Sequence, residues 1–385
     1  MDEYVIYNIN IIYMDHIISN GYIYIKNGFI ADIDIGSPLK HLMSKAERVD
    51  GKYILPGFID THTHGIAGID VTESVDPYKF LELAKHYMRH GVTSFLPTTV
   101  STSHDRIIEV CKAIREAMNI WRPENGSRIL GLHMEGPYIN PKRAGAQNPI
   151  YIRIPTMSEV KNLLDSCGDV IKQISMAPEI ENSLSTARIF VDRGITVSAA
   201  HTDATYDEGL KAIENGFTKI THIFNGMREF HHREPGIALA FLQNEKTFIE
   251  VIPDFIHLHK SVVKMVIDIA GPNRVVLITD SILATDMPDG VYTLGGLRII
   301  VENGIARLEK GELAGSTLTM DKALRNVYTL GYKLPLVSKM LSTTPARSIK
   351  AINIGRIEKK AKADFIVLDD ELNIKAVFVE GLRVF

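Results

Sequence analysis

The sequence predicts an α/β protein, a (β/α)8 TIM-type barrel carrying a small β-sandwich domain assembled from the N- and C-terminal segments. Two observations carry this expectation. Apolar, β-branched runs recur between Ile54 and Thr279, most of them separated by amphipathic stretches, which is the rhythm of parallel strands joined by crossover helices. Eight such units over about 230 residues match the size of a closed barrel. At both ends the rhythm changes to short strands with turns. A doubly wound open sheet is the alternative, but its Gly-x-Gly-x-x-Gly turn does not follow the first run.

Taken in order, Tyr4–Tyr13 and Gly21–Lys26 read as strands, and Asn27-Gly28 before Phe29–Ile35 is a hairpin signal, because Asn and Gly tolerate the positive φ of a tight turn. Residues 1–53 form the first part of the small domain. The barrel, over 54–347, takes its strands from Ile54–Asp60, Val92–Pro97, Ile129–Met134, Ile171–Met176, Ile195–Ala199, Lys219–Ile223, Phe248–Ile252 and Val275–Thr279. Its helices are expected in Pro77–His90, Ser103–Asn119, Ser158–Ser166, Asn182–Arg193, Tyr206–Asn215 and Leu258–Ala270. Residues 348–385 return to short strands, Ala363–Leu368 and Ile374–Gly381 about a turn at Asp369-Asp370, and supply the second part of the small domain.

With 45% hydrophobic and 23% charged residues, the 385-residue chain is neither disordered nor collagenous. Forty-three Lys and Arg against 46 Asp and Glu leave a net charge of −3, so no basic field favours nucleic acid. Two cysteines, Cys111 and Cys167, cannot make a disulfide framework and suit a reducing compartment. The opening Met-Asp-Glu-Tyr lacks the basic region of a secretory signal, and no apolar run approaches the ~20 residues of a membrane span. The expectation is a cytoplasmic protein acting on a small molecule, with neither nucleic acid nor membrane as partner. Fourteen histidines are the surplus that needs a place.

Catalytic groups in such barrels sit at the C-terminal ends of the strands. The first run ends in Asp60-Thr61-His62-Thr63-His64-Gly65, the third in His133-Met134-Glu135-Gly136-Pro137, the fifth in His201-Thr202-Asp203, the sixth in Thr221-His222-Ile223-Phe224-Asn225, and the eighth in Thr279-Asp280-Ser281. Two residues apart on a strand, His62 and His64 share a face and can grip one ion. Imidazole with carboxylate suits zinc, iron(II), manganese or cobalt. Each residue alone has an ordinary reading: His201 or His222 as a core histidine, Glu135 at a helix N-terminus, Asp280 as an N-cap. Metal-compatible groups at the ends of five strands of one barrel outweigh those separate readings.

The motifs resemble those of a known family. Leu55-Pro56-Gly57-Phe58-Ile59-Asp60-Thr61-His62-Thr63-His64 is similar to the first-strand signature of the amidohydrolase superfamily. Within it, His133-Met134-Glu135-Gly136-Pro137-Tyr138, Thr221-His222-Ile223-Phe224-Asn225-Gly226-Met227, Arg233-Glu234-Pro235-Gly236 and Ala314-Gly315-Ser316-Thr317-Leu318-Thr319-Met320 resemble the N-acetylglucosamine-6-phosphate deacetylase family. The resemblance implies that Glu135, His201 and His222 are metal ligands, that His62 and His64 match a pair some members use for a second ion, and that Asp280 is the catalytic carboxylate and joins the metal site. It implies one or two divalent ions per subunit, Zn2+ or Fe2+. It places Ala146, Gln147, Leu313, Ala314 and Gly315 along the sugar and acetyl pocket, and Asn225 and Gly226 at the sugar phosphate. His257 would bind substrate, and Arg233 would bind phosphate across a homodimer interface. Three departures stand out: Gln147 where many members have His, Asp280-Ser281 for Asp-Ala, and Ala361-Lys362-Ala363-Asp364 in the late Gly-x-x-Ala-Asp motif.

The implied reaction is metal-dependent hydrolysis of the acetamide of N-acetyl-D-glucosamine 6-phosphate, with Asp280 as base and then acid. Deacetylation of the galactosamine epimer is the nearest alternative, since one hydroxyl's orientation leaves no mark in the sequence. Cyclic amidases bridge two metals with a carboxylated Lys at the end of strand four. That strand here ends Ser175-Met176-Ala177-Pro178-Glu179, with Lys172 at its start. A non-catalytic sugar-phosphate binder is the alternative from outside enzymology.

Overall fold

A computed structural model of the chain describes residues 3–385. Among the described residues, eight parallel strands follow one another around a barrel: Phe58–Thr63, Val92–Thr99, Leu132–Glu135, Ile171–Met176, Thr196–Ala199, Phe217–Ile220, Phe248–Val251 and Val275–Leu277, with Arg128–Ile129 pairing beside the second. The last strand meets the first through the Asp280 N–H donating to the His62 carbonyl (3.0 Å) and a bridge between Thr63 and Ser281. Crossover helices start where the side chains can cap them. Asp76 accepts from the Tyr78 N–H ahead of Pro77–Met88, and Thr205 with Glu208 forms a capping box on Tyr206–Glu214. An unforeseen helix, Gly236–Gln243, connects the sixth and seventh strands.

The terminal segments form one continuous mixed sheet rather than two separate sheets. Its order runs from Leu382–Arg383 through Ile374–Val379, Phe365–Leu368, Tyr53–Pro56 and Glu3–Tyr13 to His16–Lys26 and Phe29–Ile35. Register shifts around Asn8 and Asn10, with Asn8 at φ 59°, bend the long first strand as β-bulges do. The sheet therefore folds over, packing Tyr4 against Phe378 and enclosing Ile6, Ile23, Ile25 and Phe365. The layers of the expected sandwich are two arms of one sheet.

The stretch Ile54–Asp60, expected as one strand, is two. Tyr53–Pro56 belongs to the terminal sheet and Phe58–Thr63 to the barrel, so the expected division at 53/54 falls inside a terminal-sheet strand. Gly57 is the switch. A Cβ there would stand 2.1 Å from the Thr93 side chain, while its N–H donates to the Asp364 carbonyl at 3.0 Å. The sequence reading also named no element between 281 and 362. The chain there forms an antiparallel meander, Gly290–Leu294, Leu297–Glu302 and Ile305–Leu308, which packs Ile299 and Val301 against Val100 and Ile282 over the barrel mouth. Helices Met320–Tyr328, Leu334–Leu341 and Thr343–Ser348 follow.

Asp364, from the late motif, locks the sheet to the barrel. It accepts Arg128 Nη1 at 2.7 Å and the Glu380 N–H at 2.7 Å, while Arg128 Nη2 reaches Glu380 at 2.9 Å and its guanidinium lies over Trp121. Because removing one partner strands a buried charge, Asp364→Ala should cost about 3–5 kcal/mol in denaturant unfolding. A loss below 1 kcal/mol would refute this role.

His90 ties the first barrel unit to the last, with Nδ1 3.0 Å from Asp321 and Nε2 2.6 Å from Asp286. Burial disfavours its charge, yet the bonds to Asp321 and Asp286 raise its pKa above the ordinary value. A raised folded-state pKa contributes stability fully present below the unfolded value and lost as pH rises through the folded one. The stability advantage of the wild type over His90→Gln should therefore shrink as pH rises from about 6.5, the ordinary histidine value, into the alkaline range in parallel unfolding titrations. A constant difference across that range would count against it. Cys111 and Cys167 are buried and unpaired, and among the described residues no helix is long and apolar enough to cross a membrane.

Candidate metal centre and pocket

Alternation along the first strand turns His62 and His64 into the barrel mouth, and the third strand delivers Glu135 beside them. Just beyond the ends of the fifth, sixth and eighth strands lie His201, His222 and Asp280, all with positive φ (43°, 29° and 52°). Such backbone costs about 1–3 kcal/mol per residue and is held only where the surroundings over-determine it. Here it aims three side chains at the barrel axis.

The six groups fall into two buried triads, His62–His64–Asp280 and Glu135–His201–His222, each with ligand-type atoms within 4.8 Å of one another. Glu135 joins them. Its Oε1 lies 2.9 Å from His222 Nε2, 3.3 Å from His201 Nε2 and 3.5 Å from His62 Nε2, and its Oε2 lies 3.2 Å from His64 Nε2. Asp280 Oδ1 stands 3.3 Å from His62 Nε2 and 3.2 Å from His64 Nε2.

The outward-facing nitrogens decide what these rings offer. Nδ1 of His201 faces the Arg143 carbonyl at 2.8 Å, that of His64 the Thr98 carbonyl at 3.0 Å, and that of His62 the Glu250 carboxylate at 3.2 Å. A carbonyl or carboxylate only accepts, so each Nδ1 carries a hydrogen and Nε2 is the nitrogen left to offer a lone pair to a cation. Among the described residues, Nδ1 of His222 has no partner.

The field at this point attracts cations. Burial opposes charge on His62, but Glu135 and Asp280 raise its pKa well above the ordinary value. His64 is likewise opposed by burial and raised by Asp280 and Glu135 to about 9. Burial pushes Asp280 upward, yet the charge of His62 and the bond to His64 hold it below the usual carboxylate range. Lone pairs and carboxylates converging in a buried site fit a divalent cation.

A cavity of about 330 Å³ opens above the triads. Ala146, Gln147, Asn225, Gly226, His257, Leu313 and Gly315 line it together with His64, Glu135, His201, His222 and Asp280. His257 is oriented by Asp254 Oδ2, 2.7 Å from its Nδ1. Gly226 approaches His201 so closely that a Cβ would sit 2.8 Å from Nδ1. Asn225 spends its side-chain amide on the carbonyls of His222 and Ile223 at 3.1 and 3.2 Å, fixing the turn that carries His222. Gln147 lines the cavity, but its Nε2 donates to Glu135 Oε2 at 2.7 Å and its Oε1 accepts the Ser101 N–H at 2.5 Å, so both polar atoms hold the protein.

Ala314, expected in the pocket, is outside the cavity lining, and Arg233, expected to act across a dimer interface, is on the surface of this chain. Ala314 is buried in the meander core, and Arg233 is on an exposed loop, its Nη1 3.0 Å from His232. His133, two residues before Glu135, lies deeper in the barrel between Thr98, Gln173 and Ser175, and burial pushes its pKa well below the ordinary value.

Beneath His62 lies a charged pair that sequence reasoning missed. Lys219 and Glu250 are both fully buried, 2.7 Å apart. Burial would raise the Glu250 carboxyl, but the Lys219 charge and His62 hold it well below the carboxylate range. The available signal was a charge of each sign inside neighbouring apolar strand runs, Lys219–Ile223 and Phe248–Ile252.

A parallel barrel with two ligand triads at its C-terminal mouth defines a metal-dependent hydrolase of the barrel class. The amidohydrolase family model matches residues 53–384. An N-acetylglucosamine-6-phosphate deacetylase from Lysinibacillus sphaericus is 36% identical over 366 residues, 93% of this chain and 92% of the relative. An N-acetylgalactosamine-6-phosphate deacetylase from Escherichia coli O157:H7 is 34% identical over 359 residues, 93% of each. A mutant N-acetyl-D-glucosamine-6-phosphate deacetylase from Mycobacterium smegmatis, solved with N-acetyl-D-glucosamine-6-phosphate, superposes with a TM-score of 0.93 at 29% identity over 100% of both chains. The chain belongs to the amidohydrolase family, in its N-acetylglucosamine-6-phosphate deacetylase branch.

Proposed function

We propose that the chain hydrolyses the acetamide of N-acetyl-D-glucosamine 6-phosphate, releasing acetate and D-glucosamine 6-phosphate. The observation that carries this reading is the convergence of imidazole Nε2 atoms and the Glu135 and Asp280 carboxylates on the floor of one cavity, on a fold shared end to end with a structure solved with that sugar phosphate.

His62, His64, Glu135, His201, His222 and Asp280 would hold one or two divalent ions, of which Zn2+ or Fe2+ suits the donor set. Bound there, such an ion supplies Lewis acidity, which acidifies water and polarises an acyl oxygen. Asp280, kept ionised by its imidazole neighbours, takes the proton of the attacking water on a carboxylate oxygen and hands it to the amide nitrogen as the C–N bond breaks. His257, its Nδ1 held by Asp254, directs Nε2 to a substrate oxygen. Gln147, on the cavity wall, also holds the Glu135 carboxylate in place.

No Lys or Arg among the described residues lines the cavity, although a phosphate dianion needs one. A homodimer in which Arg233 of the exposed loop enters the neighbouring cavity answers that need. The compartment proposed is the cytoplasm, in keeping with two unpaired buried thiols.

The test is acetate release by metal-loaded protein from N-acetylglucosamine 6-phosphate, its galactosamine epimer and the unphosphorylated sugar. The expected order is the glucosamine phosphate first. Preference for the epimer would move the assignment to the second reading, favoured by the 34% identity to the galactosamine enzyme. No release from any of them would leave a binder. Arg233→Ala should raise KM for the phosphorylated sugar at least tenfold, about 1.4 kcal/mol, and hardly alter the unphosphorylated one. Equal effects on both, or a fully active monomer on dilution, would refute the shared site.

A further inference from the structure

We propose that Glu250, anchored by Lys219, is a positioning residue that fixes the ring plane and tautomer of His62 so that Nε2 is presented to the metal centre. This rests on the reading of His62 as a ligand given above.

The geometry is that of a buried brace. Glu250 Oε2 is 3.2 Å from His62 Nδ1, and its Oε1 takes Gln173 Nε2 at 3.1 Å and Lys219 Nζ at 2.7 Å. Lys219 is anchored in turn, donating to Gln173 Oε1 at 2.9 Å and Thr61 Oγ1 at 3.2 Å. Every charged atom of the pair is thus engaged, on strands one, four, six and seven, and neither residue is accessible to solvent. Barrel interiors are ordinarily filled with layers of branched apolar side chains, and a buried ion pair seldom stabilises more than an apolar replacement of equal volume. The pair needs a reason other than stability. One is present, since the free side of Glu250 faces only the His62 ring nitrogen that must carry a hydrogen for the other nitrogen to ligate.

His201 and His64 are oriented by backbone carbonyls, which no substitution removes. His62 alone depends on a side chain, so the first triad can be loosened without touching a ligand.

The experiment measures metal content and affinity after dialysis against a graded chelator. Lys219→Met with Glu250→Leu removes both charges at similar volume. It should fold and keep the ion held by Glu135, His201 and His222, while affinity at the His62 triad falls by about 10- to 100-fold. His62→Ala is the reference and should lose the same ion outright. Native metal content and affinity in the double variant, with loss in His62→Ala, would overturn the role of Glu250 alone. Native content in His62→Ala would overturn the ligand reading itself. Because a core double variant can fail to fold, the tautomer is also read in the wild type by nitrogen NMR of histidine-labelled, metal-loaded protein. His62 should carry its hydrogen on Nδ1, and a hydrogen on Nε2 would overturn the proposal without any variant.

Discussion

Asp280→Asn should lower kcat by about 100- to 10,000-fold, the range removed with a positioned acid–base group. The amide matches the carboxylate in shape and keeps an oxygen where Oδ1 stands, 3.2 Å from His64 Nε2, but it cannot take up the proton released by water. An ion held by Glu135, His201 and His222 would not depend on it. The expected pattern is therefore metal retained, KM within a few-fold and kcat lost. The substitution also removes the pH dependence of kcat that the carboxylate imposes on the acidic side. Turnover within tenfold of wild type at full metal content would remove Asp280 from the proton path.

Glu135→Gln should strip the centre. Its carboxylate contacts imidazoles of both triads, at 2.9 Å from His222 and 3.2 Å from His64, and it also receives Gln147. An amide in its place removes one negative charge from a site where burial magnifies charge, and it aims an N–H at a nitrogen lone pair or at the Gln147 amide. Metal affinity should fall by more than the 10- to 100-fold typical of residues behind a ligand. Activity should follow metal content and recover only at high added metal. The His64 pKa, held at about 9 by Asp280 and Glu135, should fall, because one of its two carboxylate partners is gone. Dialysed Glu135→Gln that still carries the full complement of metal would contradict the bridging arrangement.

The two variants separate chemistry from assembly. Asp280→Asn changes the fate of a proton with the Glu135, His201 and His222 triad intact, whereas Glu135→Gln disrupts that triad and leaves the proton carrier. Metal analysis beside kcat tells them apart.

How much of this was legible beforehand differs by kind of residue. Val92–Pro97 and Ile171–Met176 announce themselves because strands covered on both faces are written as continuous β-branched runs. His62 and His64 were readable because a spacing of two on a strand means one face. Gly57 was not, since a switch between two sheets leaves the apolar run Ile54–Asp60 unbroken, and only the approach of Thr93 shows why the chain must turn there. Ala314 matched a motif, but a motif fixes order along the chain and not which cavity a side chain enters. Gln147 shows the same limit, its amide being claimed by Glu135 and Ser101.

By itself the sequence determined the barrel, a small β domain built from both ends of the chain and the identity of the groups at the strand ends, because hydrophobic periodicity and strand alternation are local properties that survive in one dimension. Tertiary structure alone decided that Glu135 joins two triads, that Lys219 and Glu250 meet beneath His62, and that Asp364 ties the sheet to Arg128. Those are contacts between residues 31 to 236 positions apart, set by barrel closure and by the docking of the terminal sheet, and no local pattern records which side chains these bring together.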